Sequence, residues 1–322
     1  MLTKDYEVFG LDFNLDEYHT SEAVRRYYTQ FDPDTLIDEV NRIVAADDID
    51  LVYVADTGPA LTIVAAHRDE ITTKTFLPVQ PEFQCAEDKW LTYLRLAANE
   101  LASPQTVLVE TPADLSNMFA TYQNVWIRRR TGSGGRGALG TSNQQLAESW
   151  IDSSDGWGDF VAAVQLTDKT ATFSGLWFNG ELVASQLRER LAWKYSGRSP
   201  SGVTGITGVQ RTFWDPLLHD LATQSVTAIA PRANGAIGVD FTYDDDGAPR
   251  VTEVQPGRFY SSIYFLAKAG LNFADLYCQL ALKGQPSAEP ALNPIRHSLY
   301  WIKAVDKHPL LLTDQEFLRA AE

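Results

Sequence analysis

Two carboxylates and one amide lie on a single face of a predicted β-hairpin. Residues 238–255 (GVDFTYDDDGAPRVTEVQ) predict two strands joined at the turn pair Asp246-Gly247. A hairpin centred on that pair sets Asp240 opposite Glu253. Because opposed residues share a face of a sheet, as do residues i and i+2, three polar side chains converge: Asp240, Glu253 and Gln255. The other face is filled by Val239, Phe241 and Val254.

Two carboxylates directly opposite each other on a sheet repel and destabilise the hairpin unless another group offsets the repulsion. A divalent cation removes the repulsion, and Mg²⁺ prefers oxygen ligands from one or two carboxylates together with substrate phosphates. The sequence therefore favours a metal site at Asp240, Glu253 and Gln255. The alternative is an exposed acidic hairpin, which the run Asp244-Asp245-Asp246 would also suit.

A second chemical feature is a glycine-rich loop at residues 131–139 (TGSGGRGAL), directly after three arginines at 128–130. Glycines allow backbone N–H groups to approach phosphate oxygens, and arginines add positive charge. The loop fits the dinucleotide pattern G-x-G-x-x-G, but the arginine-ended strand before it cannot be buried on both faces as a Rossmann strand is. No kinase motifs follow it, and no P-loop lysine is present. Phosphate binding is the favoured interpretation, and a flexible surface loop beside solvated arginines is the alternative.

The elements that would position these groups follow from hydrophobic periodicity. The first third predicts a βαβ segment with a parallel sheet, with a strand at 6–13, a helix at 34–46 and a strand at 50–55. Next come a helix at 86–102, strands at 106–110 and 125–130, the glycine loop and a helix at 144–150. The remaining predicted elements are strands at 160–166, 170–178 and 181–187, the hairpin, and helices at 261–269 and 272–282. An Asn-Gly turn at 179–180 joins two of those strands.

Composition limits the classes of partner. The 322 residues include 27 Lys plus Arg against 42 Asp plus Glu, a formal net charge of −15. Since nucleic acids and anionic membranes require a positive surface, this balance argues against both, and no apolar run reaches the length of a membrane span. Cys85 and Cys278 provide neither a disulfide framework nor a zinc spacing, which predicts a cytoplasmic protein.

The loop and the hairpin together resemble those of the ATP-grasp superfamily, in its carbamoyl-phosphate-synthase-like branch. Residues 127–139 (IRRRTGSGGRGAL) are similar to the basic strand and triphosphate-covering loop, and residues 236–259 (AIGVDFTYDDDGAPRVTEVQPGRF) to the metal hairpin. Residues 174–191 (SGLWFNGELVASQLRERL) resemble a strand pair of this branch, and residues 86–90 (AEDKW) resemble the start of a helix whose lysine reaches the nucleotide. The resemblance covers residues 50–260. It implies an α/β (α+β) protein with two lobes clamping ATP after a shortened N-terminal α/β domain.

The resemblance also implies a role for each matching residue. Lys89 and Arg128, the latter where lysine is more usual, neutralise ATP phosphates. The loop residues that close over the β- and γ-phosphates are Gly132, Ser133, Gly134, Gly135 and Gly137. The hinge that offers backbone groups to adenine is Val164, Gln165 and Leu166.

The remaining roles concern the metal and the reacting groups. The implied ligands of two Mg²⁺ ions, with Mn²⁺ as the alternative metal, are Asp240, Glu253 and Gln255, although asparagine is usual where Gln255 stands. Arg258 matches the arginine that holds the transferred phosphoryl group. Arg188 and Arg190 are candidates to contact a substrate anion, with plain surface charge as the alternative. Near the hinge, Asp168 is the one candidate for the ribose-binding acid.

The implied activity is an ATP-dependent carboxylate–amine ligase. It phosphorylates a small carboxylate or carbamate to an acyl phosphate and joins it to an amine. The implied division is an N-terminal domain at 1–88, a small lobe at 89–168 and a large lobe with the C-terminal helices at 169–322. A nicotinamide dehydrogenase and a degenerate ATP-binding protein are the alternatives, and the substrates and a homodimeric state stay open.

Overall fold

The computed structural model describes residue 2 and residues 5–55, 58–132, 135, 137–194, 206–286, 289–303 and 308–319. The chain forms two compact units, Met1–Phe76 with Ser261–Ala288, and Leu77–Tyr260 with Glu289–Glu322. The sequence-based division instead placed the helices after Ser261 with the large lobe, and its three domains stay a prediction. No helix within the described ranges is long and apolar enough to cross a membrane.

The helices are, in chain order, α1 Leu15–Thr20, α2 Leu36–Asp47, α3 Pro59–Ala66, α4 Gln80–Glu87, α5 Lys89–Ala98, α6 Pro112–Thr121, α7 Gln144–Asp152, α8 Pro216–Ile229, α9 Ile263–Lys268, α10 Phe273–Lys283 and α11 Asp314–Leu318. The strands are β1 Phe9–Asp12, β2 Arg25–Tyr28, β3 Leu51–Val52, β4 Lys74–Thr75, β5 Thr106–Val109, β6 Val125–Arg129, β7 Leu139–Thr141, β8 Phe160–Val164, β9 Thr170–Phe178, β10 Glu181–Lys194, β11 Ile206–Thr212, β12 Gly235–Tyr243, β13 Pro249–Pro256, β14 Ala291–Leu292, β15 Leu299–Ile302 and β16 Leu310–Thr313.

The unit that contains the N-terminal residues is built on short parallel strand pairs. Strand β1 pairs with β2, and β3 pairs with β4, both in parallel. The pairing is parallel as predicted, but the strands predicted at 6–13 and 50–55 do not share one sheet: among the described residues β1 and β3 belong to two separate two-stranded sheets. Helix α10 packs onto β3 and β4, where the Tyr277 ring meets Tyr53 and its hydroxyl donates to Phe76 O at 2.8 Å. Buried aromatic side chains therefore anchor α10 to this unit.

The other unit contains one antiparallel sheet and one larger sheet that is antiparallel except for one short strand. The smaller sheet has the strand order β5-β8-β6-β7, and its apolar face packs against α6 and α7 through Val125, Ile127 and Phe160. Within the described residues the larger sheet has eight strands, in the order β13-β12-β9-β10-β11-β15-β16, with β14 parallel to β10. Each sheet therefore packs one face against helices, the smaller sheet against α6 and α7 and the larger sheet against α8.

The larger sheet is divided cleanly between an apolar and a polar face. One row across four strands consists of fully buried apolar side chains: Val254, Val239, Phe173 and Leu187. These side chains join a core with Leu218, Ala222 and Val226 of α8. Because side chains alternate along a strand, every neighbouring row faces away from this core.

Three sequence predictions need correction. The predicted helix at 86–102 is two helices, because Asp88 ends α4 and caps α5 by accepting hydrogen bonds from Trp90 N and Leu91 N. The glycine loop does not lead directly to a helix, because β7 intervenes and pairs antiparallel with β6. The strand predicted at 181–187 continues to Lys194 as β10, since its later residues pair with β11.

Candidate active site

The polar face of the larger sheet carries one continuous row of polar and charged side chains across five strands. In strand order the row is Glu253, Asp240, Thr172, Arg188 and Thr212. A second row beside it is Gln255, Gly238, Ser174 and Gln186. Thr172, Arg188 and Ser174 are all buried, so the protein interior here is lined by polar groups and charges. Burying such groups is unfavourable unless they are hydrogen-bonded or paired, and Thr172 and Arg188 each have a hydrogen-bond partner.

The hairpin pairs Asp240 with Glu253 and Gly238 with Gln255, which confirms the predicted register at these positions. Towards the turn the pairing is displaced by one residue, with Phe241 opposite Val251, so the prediction is wrong there. A β-bulge at Thr252 causes the displacement, and its backbone carbonyl accepts a hydrogen bond from Arg128 Nη2 at 2.6 Å. The bulge thereby connects the hairpin to the smaller sheet.

Asp240 is held by groups on β9 and β10. The Thr172 hydroxyl donates to Asp240 Oδ1 at 2.7 Å, and Arg190 Nη2 lies 3.8 Å from the same oxygen. Arg190 also donates to the hydroxyls of Thr170 and Thr207 and stacks over Trp193. Burial raises the pKa of Asp240, and the nearby Glu253 adds to the rise against the opposing effect of Arg190. A bound cation would stabilise this carboxylate.

Glu253 faces two cations from other elements. Lys89 Nζ lies 3.9 Å and Arg128 Nη1 4.0 Å from its carboxylate oxygens. Burial lowers the pKa of both cations, and Glu253 only partly offsets that effect. Arg128 Nε is buried and has no hydrogen-bond partner among the described residues. Both cations are therefore positioned for a further anion.

The three consecutive arginines at the end of β6, residues 128–130, have three different surroundings. Arg128 faces the hairpin, whereas Arg129 lies over the Phe160 ring on the opposite face. Arg130 Nη2 donates to Asp88 Oδ2 at 2.6 Å, and its carbonyl accepts from Lys89 N at 2.9 Å. Arg130 and Asp88 thus fix the start of α5, where Lys89 is the first residue.

Gln255 and Arg258 form a pair at the end of the hairpin. Arg258 Nη2 donates to Gln255 Oε1 at 2.8 Å, and Gln255 Nε2 donates to Glu253 Oε1 at 3.2 Å. The amide oxygen predicted to bind metal is therefore shared with Arg258. Arg188 lies deeper, is 3% exposed and donates from Nη1 to Gln210 Oε1 at 2.7 Å. Arg188 is therefore not a surface charge, which excludes that alternative for it.

The glycine loop closes the β6–β7 hairpin. Gly132, Gly135 and Gly137 have positive φ angles, and Lys89 Nζ donates to Gly132 O at 2.7 Å. Ser133 and Gly134, predicted to cover the phosphates, lie outside the described residues. A dinucleotide loop leads directly into a helix, so this arrangement removes the structural basis of the dehydrogenase alternative.

The predicted hinge begins at the end of β8. Val164 N donates to Gln105 O and Gln165 N donates to Asn124 O, so both donors are used within the protein. Leu166 N makes no backbone hydrogen bond of this kind in the described ranges, so of the three backbone donors only this one is not paired in this way. Asp168 is exposed in the turn before β9.

The donor set fits a Mg²⁺ site in part. Asp240 and Glu253 are hard oxygen ligands that face each other, and two protein carboxylates are the number that Mg²⁺ commonly takes. Gln255 would have to share its oxygen with Arg258. Among the described residues no group of three or more His, Cys, Asp or Glu side chains is arranged to hold a metal.

The sequence motifs did not predict the uncharged hydroxyl side chains of the site, which lie on β9. The signal was present in β9, where Thr170, Thr172 and Ser174 alternate with Ala171 and Phe173. These hydroxyls lie opposite Arg190, Arg188 and Gln186 of β10. Asp88 and Arg130 were also missed, because a contact between residues 42 positions apart leaves no local pattern.

The two sheets and the site between them define an ATP-grasp fold, as the motifs predict. No family model and no curated protein matches the sequence. The structure is similar to the L-amino acid ligase from Bacillus licheniformis, with a TM-score of 0.70 and 17% identity over 94% of this chain and 75% of that one.

Two further solved structures have the same fold. One is N5-carboxyaminoimidazole synthetase from Staphylococcus aureus complexed with ADP, with a TM-score of 0.71 and 15% identity over 99% of this chain and 80% of that one. The other is the biotin carboxylase domain of 2-oxoglutarate carboxylase from Hydrogenobacter thermophilus, in complex with MgADP, ADP and bicarbonate. Its TM-score is 0.71 at 12% identity, over 92% of this chain and 68% of that one.

Proposed function

We propose that this protein is an ATP- and Mg²⁺-dependent ligase that activates a small carboxylate or carbamate as an acyl phosphate and joins it to an amine or similar nucleophile. One observation carries the proposal: the carboxylates Asp240 and Glu253 face each other on the polar sheet face, and cations from α5 and β6 approach Glu253. The ADP, MgADP and bicarbonate named for the solved structures of this fold support the same assignment.

Each proposed role follows from a side chain's surroundings. Asp240 and Glu253 would hold Mg²⁺, with Gln255 as a further ligand, and the ion when bound neutralises charge on the triphosphate. Lys89 and Arg128 bind phosphate oxygens, since both are buried cations with too little anionic compensation. The glycine loop supplies backbone donors above them, and the hinge at residues 164–166 binds adenine.

The reaction transfers the γ-phosphoryl group from ATP to a carboxylate oxygen. A new P–O bond forms as the bond between the γ-phosphorus and the β–γ bridging oxygen breaks, and ADP leaves. The amine nitrogen then attacks the acyl carbon, a C–N bond forms as the C–O bond to phosphate breaks, and phosphate leaves while the proton lost by the amine passes to phosphate or water. Arg258 and Arg188 stabilise the negative charge on the transferring group and the acid. Such chemistry asks a protein mainly for positioning and charge neutralisation.

The proposal is tested by ADP release with a matrix of small carboxylates, bicarbonate included, and amines. We expect at least one pair to raise ADP release in the presence of Mg²⁺ and not with chelator. This acid-dependent ADP release should require Arg188 and Arg258, the residues proposed to bind the acid and the phosphoryl group. ADP release that is the same with and without every acid would contradict the ligase assignment.

A non-catalytic ATP-binding protein is the second candidate, and Gln255 is the observation that favours it. Its oxygen is shared with Arg258, and its arm is longer than that of the asparagine usual at this position in the family it resembles. This candidate predicts Mg²⁺-dependent ATP binding without ADP production in any substrate mixture.

A further inference from the structure

A buried arginine and a buried tyrosine hydroxyl lie together on the polar face with unused hydrogen-bonding capacity. Arg188 Nε and Tyr260 OH are both buried and have no hydrogen-bond partner in the part of the chain that the structure describes. The Arg188 guanidinium carbon lies 5.4 Å from the centroid of the Tyr260 ring. Because a buried donor without a partner is unfavourable, two such donors on neighbouring side chains indicate a missing acceptor.

Gly238 creates the space for Tyr260. A Cβ atom at position 238 would lie 2.1 Å from Cε2 of the Tyr260 ring and 2.8 Å from its hydroxyl oxygen. The ring therefore lies directly on the backbone of β12, in the row that also holds Gln255 and Ser174. Any side chain at 238 would displace the hydroxyl from this position.

The charges around this pair favour an anion. Among the described residues Arg188 has no carboxylate within ion-pairing distance, and its one protein acceptor is the neutral Gln210 side chain. Burial and the neighbouring Arg190 lower the pKa of Arg188 to about 10, so the guanidinium is charged at neutral pH. Burial raises the pKa of Tyr260 well above its usual range, and Asp240 and Glu253 add to the effect. The hydroxyl therefore remains a donor.

We propose that Arg188 and Tyr260 form an oxyanion subsite that binds the carboxylate group of the acid substrate, with the tyrosine hydroxyl donating to one carboxylate oxygen. The identity of the ligand as the acid substrate rests on the proposed ligase function. The Tyr260 hydroxyl and the Arg188 guanidinium can each donate one hydrogen bond to an oxygen of a planar carboxylate. Inorganic phosphate shares the oxyanion chemistry, so it serves as the competing probe.

The test is calorimetric titration of acetate and of inorganic phosphate into wild type and Tyr260→Phe, with and without MgADP. We expect wild type to bind acetate more tightly than phosphate, and Tyr260→Phe to bind acetate about 10-fold more weakly, since one hydrogen bond to a charged ligand is lost. The affinity for MgADP should be unchanged. Tyr264→Phe, which removes an equivalent hydroxyl at an exposed position, is the matched control and should bind acetate as wild type does.

Thermal stability separates a binding role from a structural one. Because the Tyr260 hydroxyl has no hydrogen-bond partner among the described residues, Tyr260→Phe should melt at the same temperature as wild type or higher. A lower melting temperature, equal acetate affinity in Tyr260→Phe, no acetate binding by wild type, or tighter binding of phosphate than acetate would each overturn the subsite. Tyrosine-dependent acetate binding in a protein that does not bind MgADP would instead overturn only the proposed ligase function.

Discussion

At the scale of single residues, the site has more positive than negative charge. Two carboxylates, Asp240 and Glu253, lie near five cations of several elements: Lys89, Arg128, Arg188, Arg190 and Arg258. Burial lowers the pKa of three of these cations, which means that water has been removed without full replacement by protein anions. In a chain of net charge −15, this local surplus is the physical basis for assigning an anionic ligand.

Replacing Arg258 tests its contact with the reacting groups. Arg258→Ala should lose at least ~100-fold in turnover, because one preorganised donor at such a site contributes about 3–4 kcal/mol to lowering the barrier. Since Arg258 is partly exposed and its side-chain acceptor is Gln255, the unfolding midpoint should change little. Arg42→Ala, an exposed arginine paired with Glu39, is the control and should retain full turnover. Unchanged turnover in Arg258→Ala would remove this residue from the mechanism.

Asp240 tests the metal assignment separately. Asp240→Asn keeps the side-chain shape but removes the charge, so Mg²⁺-dependent ATP affinity should be lost in titrations with and without the metal. Asp246→Asn, on the exposed turn of the same hairpin, should bind as wild type does. If Asp240→Asn binds ATP·Mg²⁺ as tightly as wild type, the hairpin is not the metal site.

The sequence predicted correctly those contacts whose two residues are close together in the chain. Asp240 and Glu253 are joined by one short turn, so the strand register alone placed them opposite each other. The convergence of Lys89 on Glu253 joins residues 164 positions apart and depends on how α5 packs against β13, for which a single sequence holds no pattern. The resemblance to a family supplied Lys89, whereas Thr172 and Tyr260 were found only in the structure.

At the scale of elements, the β9–β10 hairpin depends on its turn. Asn179 and Gly180 both have positive φ, as a two-residue turn of this type requires, which confirms the predicted Asn-Gly hairpin. A Cβ at Gly180 would also lie 2.5 Å from Pro231 O, whereas a Cβ at Gly247, with a similar φ, would meet nothing within 4 Å.

Gly180→Ala should therefore destabilise the protein more than Gly247→Ala. Both variants incur the left-handed backbone strain of about 1–2 kcal/mol, and only Gly180→Ala adds a clash with backbone. The free energy of unfolding in urea measures the difference. Equal losses in the two variants would show that the Pro231 contact relaxes without cost.

A buried polar network ties the segment before β15 to the larger sheet. Asn293 is fully buried, its oxygen accepts from Leu187 N at 2.7 Å, and its nitrogen bonds Ser185 Oγ and His219 Nδ1, each at 3.0 Å. The Leu187 bond fixes the orientation of the amide, so His219 Nδ1 must accept. Burial lowers the pKa of His219, with Asp220 opposing the effect.

This arrangement predicts a pH dependence with a definite sign. The folded pKa lies below the unfolded value of 6.5, so the stability contributed by neutral His219 is full above about pH 6.5 and is lost as pH falls through the lower folded pKa. His219→Gln provides an acceptor that does not titrate. Between about pH 7.5 and 5.5, wild type should lose more unfolding free energy than His219→Gln, while the exposed His297→Gln should follow wild type. Identical pH slopes in all three proteins would contradict this role.

Sequence patterns predicted the bounds of individual strands better than they predicted how those strands pair. Alternation predicted β9 exactly as it occurs, because nine residues switch faces without interruption. The same logic misplaced the hairpin pairing near the turn, since one extra residue at Thr252 changes the register without changing composition. That bulge presents the carbonyl that binds Arg128, so the feature that pattern reading missed belongs to the site.

At the scale of the whole molecule, the fold and the function rest on different observations. Similarity to solved structures at 12–17% identity establishes the ATP-grasp fold, and a fold by itself hosts many activities. The ligase assignment depends instead on the opposed carboxylates and the surrounding cations. Unit boundaries were the least predictable feature, because the chain returns to its N-terminal unit at Ser261 and from Glu289 adds the last strands of the larger sheet.

The most direct test is the thermal unfolding midpoint of wild type with ATP alone, with ATP plus Mg²⁺, and with ATP plus chelator. At ~100 times the dissociation constant, binding adds about 2.7 kcal/mol to the stability of the folded state, which shifts the midpoint by a few degrees. We predict a shift with ATP plus Mg²⁺ that chelator abolishes. An unchanged midpoint under all three conditions would contradict the nucleotide site and the ligase function together.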